Sequence, residues 1–131
     1  MMLELWKVET HFLNQVRGRR QLSGGKTIME GDIVVRQGAL SGSSALDAPL
    51  ANPDRLWPSG VVEYKFYDTF PPQRRKIMQN AMEYITSKVS CIKFREATEL
   101  TKDYVLIRDA AGVCRSELGR IGGRQEIELN R

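Results

Sequence analysis

Few residues in this chain are of a type and spacing that could carry catalysis by themselves. There is one histidine, His11, so no histidine pair is present to hold a catalytic metal or run a triad. His11 reads as a surface or packing residue. Two cysteines, Cys91 and Cys114, are too few for a disulfide scaffold or a cysteine-rich zinc site. They pair either with each other or with partners outside the chain. No H-E-x-x-H run, phosphate-cradling loop or nucleophile elbow occurs, and the carboxylates form no pair whose spacing marks acid and base roles. The glycine-rich run Gly119-Arg120-Ile121-Gly122-Gly123-Arg124 precedes a strand pattern instead of a helix, so it reads as a turn between strands.

The elements that would position any chemistry are better marked. With 131 residues, 41% of them hydrophobic, the chain has apolar material for one modest domain. Its apolar stretches fall far short of the roughly 20 residues that cross a bilayer, and Glu4, Lys7 and Glu9 interrupt the N-terminus. We therefore expect no membrane association and read no signal peptide. The formal charge is +4, but the basic residues interleave with Asp and Glu, which argues against a nucleic-acid partner.

Leu5, Val8, Phe12 and Val16 fall at helical spacing and predict a short helix over 1–16, followed by a polar turn at Ser23-Gly24-Gly25. Residues 37–54 are rich in Gly, Ser, Ala and Pro and read as a flexible, protease-accessible linker. After Trp57-Pro58 and Ser59-Gly60 comes a strand pattern at 61–66. Pro71 and Pro72 then suit the first turn of a helix, whose missing N–H groups have no partner there anyway. Ile77, Met78, Ala81, Met82 and Ile85 give that helix one apolar stripe, expected to pack on a sheet. Further strands are expected at 91–95, 103–108 and 124–129, with 114–118 as another candidate. This order predicts an α+β fold, a mixed twisted sheet backed by one amphipathic helix.

Residues 55–129 carry a specific resemblance. Arg55-Leu56-Trp57-Pro58, Gly60-Val61-Val62 and Tyr64 resemble the opening of an astacin protease domain, with Glu63 standing where a proline is expected. Ala81-Met82, Cys91-Ile92-Lys93-Phe94, Asp103-Tyr104-Val105, Gly112, Cys114, Ser116, Gly119-Arg120, Gly122-Gly123, Gln125 and Leu129 follow in the family's order. Arg115 stands where the family often has an aromatic residue, which leaves substrate preference on that side open. The resemblance implies the N-terminal subdomain of a metzincin-like zinc metalloendopeptidase, acting on protein or peptide substrates, monomeric and secreted. It divides the chain into a pro-segment (1–36), a linker or activation region (37–54) and an incomplete peptidase domain (55–131).

Zinc is the cofactor that the resemblance implies for the full-length relative. The family's H-E-x-x-H-x-x-G-x-x-H motif is not in this sequence, so the chain is expected to hold no catalytic residue, bind no zinc and be inactive alone. Met29-Glu30-Gly31-Asp32 matches the family's F-x-G-D pro-segment motif except at its first residue. The match implies that Asp32 blocks the metal's open position, Gly31 letting the backbone come close; a simple Gly-Asp turn is the other reading. Cys114, Arg115, Ser116, Glu117 and Leu118 match the edge strand that pairs with extended substrate. By the same resemblance, Cys91 and Cys114 form disulfides to cysteines beyond Arg131. Arg17-Gly18-Arg19-Arg20 is either a solvated basic turn or a dibasic processing site. Other readings of the chain are a short protein that blocks a mature protease with its pro-segment, and a small basic binding module.

Overall fold

The computed structural model describes residues 20–22, 24–29, 32–36 and 53–131. The helix expected over 1–16, His11, and nearly all of the 37–54 linker lie outside the described residues.

The sheet of the described residues has eight strands: β1 (Arg20–Leu22), β2 (Lys26–Met29), β3 (Ile33–Arg36), β4 (Val61–Phe66), β5 (Lys93–Glu96), β6 (Tyr104–Ala110), β7 (Arg115–Glu117) and β8 (Arg124–Asn130). Their spatial order is β1-β2-β3-β7-β8-β6-β4-β5. The strands β5, β4, β6 and β8 run parallel, β7 is antiparallel to β8, and β3 joins β7 in parallel. Strands β1 to β3 form an antiparallel meander, with Gly24 and Gly25 at positive φ in its first turn.

The helix α1 (Pro72–Lys88) starts where the two prolines place it, with Pro71 extended at the cap and Pro72 in the first turn. Arg75 fastens this end by donating to the carbonyls of Phe70 (2.9 Å) and Asp68 (3.0 Å). Arg74 pairs with Asp109 and donates to the carbonyl of Asn130 at 2.8 Å, tying the helix to the ends of β6 and β8. The core lies between α1 and the sheet and is built on Tyr64, Phe70, Met82, Val105 and Ile107, with Phe66 stacked on Phe70. Trp57, Val62, Phe94, Ile127 and Leu129 close around it.

The helix uses less of its apolar stripe than its spacing predicts. Met82 is buried and Met78 half-buried, whereas Ile77 is 65% exposed and Ile85 42% exposed. The physical reason is breadth. The predicted stripe is wider than the seam one helix makes with the sheet, and Phe70 enters the core from the preceding loop to fill part of that seam.

A parallel sheet is usually apolar on both faces. Here the face away from α1 carries charges of alternating sign on neighbouring strands. Arg95 pairs with its cross-strand neighbour Glu63, Lys65 reaches Glu99 at 3.3 Å, and Arg108 and Arg115 both bond Glu128. The pattern VVEYKF in β4 produces this directly, since Glu63 and Lys65 alternate with Tyr64 and Phe66.

Candidate functional site

Two structural centres meet at the short strand β7. The first joins residues 54–56 to the loop between β7 and β8. Arg120 donates from its guanidinium to the carbonyls of Leu56 (3.2 Å) and Asp54 (3.0 Å) and to the Asp103 carboxylate (2.7 Å). Its backbone N–H donates to the carbonyl of Arg55 at 2.8 Å. Gly119, at φ +69°, is needed here because a Cβ would stand 2.6 Å from that carbonyl oxygen. The buried Gln125 side chain donates to the Gly119 carbonyl (2.8 Å) and accepts from the Ile121 N–H (3.1 Å). Thus Asp54-Arg55-Leu56 and Gly119-Arg120, separated in sequence, are two halves of one clamp that fixes β7 from its C-terminal end. Gly60 makes a similar close approach, since a Cβ there would stand 2.0 Å from the Cys91 carbonyl oxygen.

The second centre is the ionic cluster on the outer face of β6, β7 and β8. Glu128 is 7% exposed and bonded to both Arg115 and Arg108. The Arg108 Nε also lies 2.8 Å from Glu126, which Arg124 approaches at 3.2 Å. The hydrogen bond from Arg115 holds the Glu128 carboxyl below its ordinary value of 4.5, against burial, which pushes it up; the charge of Arg115 and the bond from Arg108 add to the lowering. Asp103 is likewise lowered from 3.8, first by the Gly123 N–H and then by Arg120.

A carboxylate whose folded pKa is depressed contributes stability that is fully present above its unfolded value and is lost as pH falls through the folded one. We expect the thermal midpoint to drop as pH is lowered below the ordinary carboxylate values of 4.5 and 3.8. Glu128→Gln should flatten the acid side of that curve. Thermal melts across roughly pH 2–7 check this; an acid limb of unchanged slope in the variant would remove Glu128 from the account.

Of the residues expected at the site, Asp32 is exposed, in the turn joining β2 to β3. Its backbone carbonyl accepts from the Ser116 N–H at 2.9 Å, which sets the start of β3 against β7. Ile33 and Val34 then stand in register with Ser116 and Glu117. Of the expected substrate-pairing stretch, Arg115, Ser116 and Glu117 form the strand, while Cys114 and Leu118 flank it and are exposed. This strand is interior to the described sheet, with β8 on one side and β3 on the other. Arg115 is turned onto Glu128. Cys91 and Cys114 are both free and exposed, and Cys114 Sγ accepts from the Asn130 N–H at 3.3 Å.

Among the described residues no three His, Cys, Asp or Glu side chains come together to hold a metal ion. The described residues therefore do not fit a resident zinc centre on their own. No helix among them is long and apolar enough to cross a membrane.

The roles of Arg120 and Gln125 were not legible as chemistry from the sequence. Their only signal was membership in the family resemblance, since a long-range clamp leaves no local periodicity.

Comparison with known proteins locates the chain. A family model described as Astacin, a peptidase family, matches residues 50–131, more than half of the sequence. Zinc metalloproteinase nas-8 of Steinernema carpocapsae is 30% identical over 129 residues, which cover 95% of this chain and 29% of that protein. Zinc metalloproteinase nas-6 of Caenorhabditis elegans is 38% identical over 82 residues, covering 63% of this chain and 23% of that protein. The solved structure of high choriolytic enzyme 1, a hatching enzyme zinc-protease of Oryzias latipes, is 32% identical with a TM-score of 0.49, over 54% of this chain and 34% of its own. The chain thus spans less than a third of the length of these two metalloproteinases. The clamp between Asp54-Arg55-Leu56 and Gly119-Arg120 lies wholly inside the matched segment, and by that match the chain belongs to the astacin family of peptidases.

Proposed function

We propose that this chain carries the pro-segment and the substrate-pairing sheet of a secreted zinc-dependent metalloendopeptidase in its zymogen form. The observation that supports this best is the parallel pairing of β3 with β7. A short strand with an available main-chain edge is a ready site for an extended peptide. Here the chain's own N-terminal segment takes that edge. Residues 1–36 then act as the pro-segment, 37–54 as the connector that is cut on activation, and 55–131 as the first part of the peptidase domain. The protein and peptide substrates of such an enzyme gain access to β7 only once β3 leaves it.

In this reading Asp32 supplies the carboxylate that keeps the precursor silent, since it sits at the point where β3 meets Ser116. Cys91 and Cys114 form disulfides to the remainder of the peptidase domain, in keeping with an oxidising, extracellular setting. The metal ligands come from that remainder too, and the 131 residues alone have no proteolytic activity. The active enzyme is a monomer with neither membrane nor nucleic acid as partner. The names of the relatives, which are zinc metalloproteinases, support the catalytic class.

The test is made on a full-length protein that carries these residues. Before cleavage within 37–54 it should leave a denatured protein substrate intact, and after cleavage it should degrade that substrate with unchanged zinc content. An intact precursor as active as the cleaved protein would overturn the zymogen reading. A cleaved, zinc-loaded protein without proteolysis would overturn the enzymatic one.

A further inference from the structure

The clamp at the C-terminal end of β7 is rooted in two parts of the chain that lie outside that strand and the turn after it. The Arg120 guanidinium donates to the carbonyls of Asp54 (3.0 Å) and Leu56 (3.2 Å), and also to the Asp103 carboxylate (2.7 Å). Asp103 directly precedes β6, a strand paired along its whole length with β8, and its other oxygen accepts from the Gly123 N–H at 2.7 Å. In return Arg55 donates to the Leu118 carbonyl at 3.4 Å, one residue past β7. The register of β7 with β8 runs through Arg115 and Ser116, toward the start of the strand. The clamp takes hold at Leu118, Gly119 and Arg120, just past its end.

We infer that Arg120 is a positioning residue for substrate: by fastening residues 54–56 and Asp103 to the turn after β7, it holds the main-chain groups of that strand in line for an extended peptide. The inference rests on the proposed role of β7 as the substrate-pairing strand. Strand addition draws its affinity from successive main-chain hydrogen bonds, which form together only if the receiving strand keeps its direction. β7 has three residues, so one misplaced group is a large fraction of the whole. While β3 lies on β7, it braces the strand from that side. Once β3 leaves, the clamp remains, because all of its members belong to 54–123. A guanidinium suits this place, since its planar fork reaches three oxygen acceptors on two segments at once, whereas a lysine ammonium is a point charge on a flexible stem. In this role Arg120 acts through β7 and not by contact with the peptide.

The experiment uses the activated, zinc-loaded full-length protein and peptides that share one cleaved bond and are lengthened residue by residue on either side. In the parent, lengthening on one side should lower KM about 10-fold in total as the peptide comes to lie along β7. Arg120→Ala should abolish most of that gain, with kcat on the shortest peptide little changed, and Arg120→Lys should restore part of it. Gly119→Ala, which drives a Cβ towards the Arg55 carbonyl oxygen, should reproduce the loss while the guanidinium stays in place. Met82→Ala, a core change on α1, is the control: it should lower the thermal midpoint and leave the gain from lengthening intact. A gain that survives Arg120→Ala, a loss of equal size for short and long peptides, or the same loss in Met82→Ala overturns the inference and leaves the protease reading standing. A parent that gains nothing from lengthening overturns the pairing role of β7 along with it. A zinc-loaded parent that cleaves no peptide overturns the protease reading too. Should Arg120→Ala fail to fold, Arg120→Lys and Gly119→Ala carry the same comparison.

Discussion

In a full-length precursor, Asp32→Ala is expected to raise proteolysis from background by on the order of 10-fold or more, while the parent stays silent. The expectation rests on two separate contacts made by one residue. The Asp32 carboxylate, exposed at the turn before β3, is the group proposed to block the metal in the zinc-bearing protein. Its backbone carbonyl, which accepts from the Ser116 N–H at 2.9 Å, is retained by alanine. The substitution therefore removes the carboxylate and leaves β3 on β7, so activity should rise only part of the way to that of the cleaved enzyme. Glu30→Ala, two residues earlier, should have a smaller effect. Proteolysis and zinc content are measured together on uncleaved protein. If the variant stays as silent as the parent with zinc unchanged, Gly31-Asp32 is a turn and nothing more.

The largest loss of stability is expected from Ile107→Ala. Ile107 is 1% exposed on β6, with β4 on one side and β8 on the other, and belongs to the cluster of Tyr64, Phe70, Met82 and Val105. Removing a buried isoleucine side chain costs about 2–5 kcal/mol, depending on how far the site collapses. For a domain whose total stability is about 5–15 kcal/mol, that is a large share of the whole. Ile77→Ala is the matched control. The same side chain on α1 is 65% exposed, and its loss should stay within about 0.5 kcal/mol. Denaturant titrations of the two variants decide the matter; comparable losses would mean that the exposed side of α1 contributes to the core.

Much of the local structure was legible in the sequence, and its limits have a common cause. The strand at 61–66 follows from alternation and the helix starting at Pro72 from the two prolines, both properties of a few adjacent residues. The expected strand at 91–95 begins two residues later, at Lys93, and those at 103–108 and 124–129 extend to Ala110 and Asn130. What could not be read was who lies beside whom. The three strands β1 to β3 are short, of three or four residues each, and a run that short sets no periodicity of its own; they pair with one another, and β3 alone reaches β7. The spacing on α1 marks which side chains are apolar but not how many are buried, since burial depends on what stands opposite. For the candidate site, Asp32 and the 114–118 stretch were marked through resemblance, whereas their adjacency is a product of the fold. Glu128, flanked by the ordinary-looking pattern Glu126-Ile127, gave no sign that two arginines from other strands would converge on it.

The pairing of Ile33 with Ser116 spans 83 residues of chain, the difference between their positions. During synthesis the N-terminal meander emerges long before its partner. At about 5–20 residues per second, β3 waits on the order of 4–17 s for β7 to leave the ribosome. Throughout that interval it is an open edge, the kind of surface on which chains join one another. Lys26 on β2 puts positive charge along the waiting ribbon, as gatekeepers do.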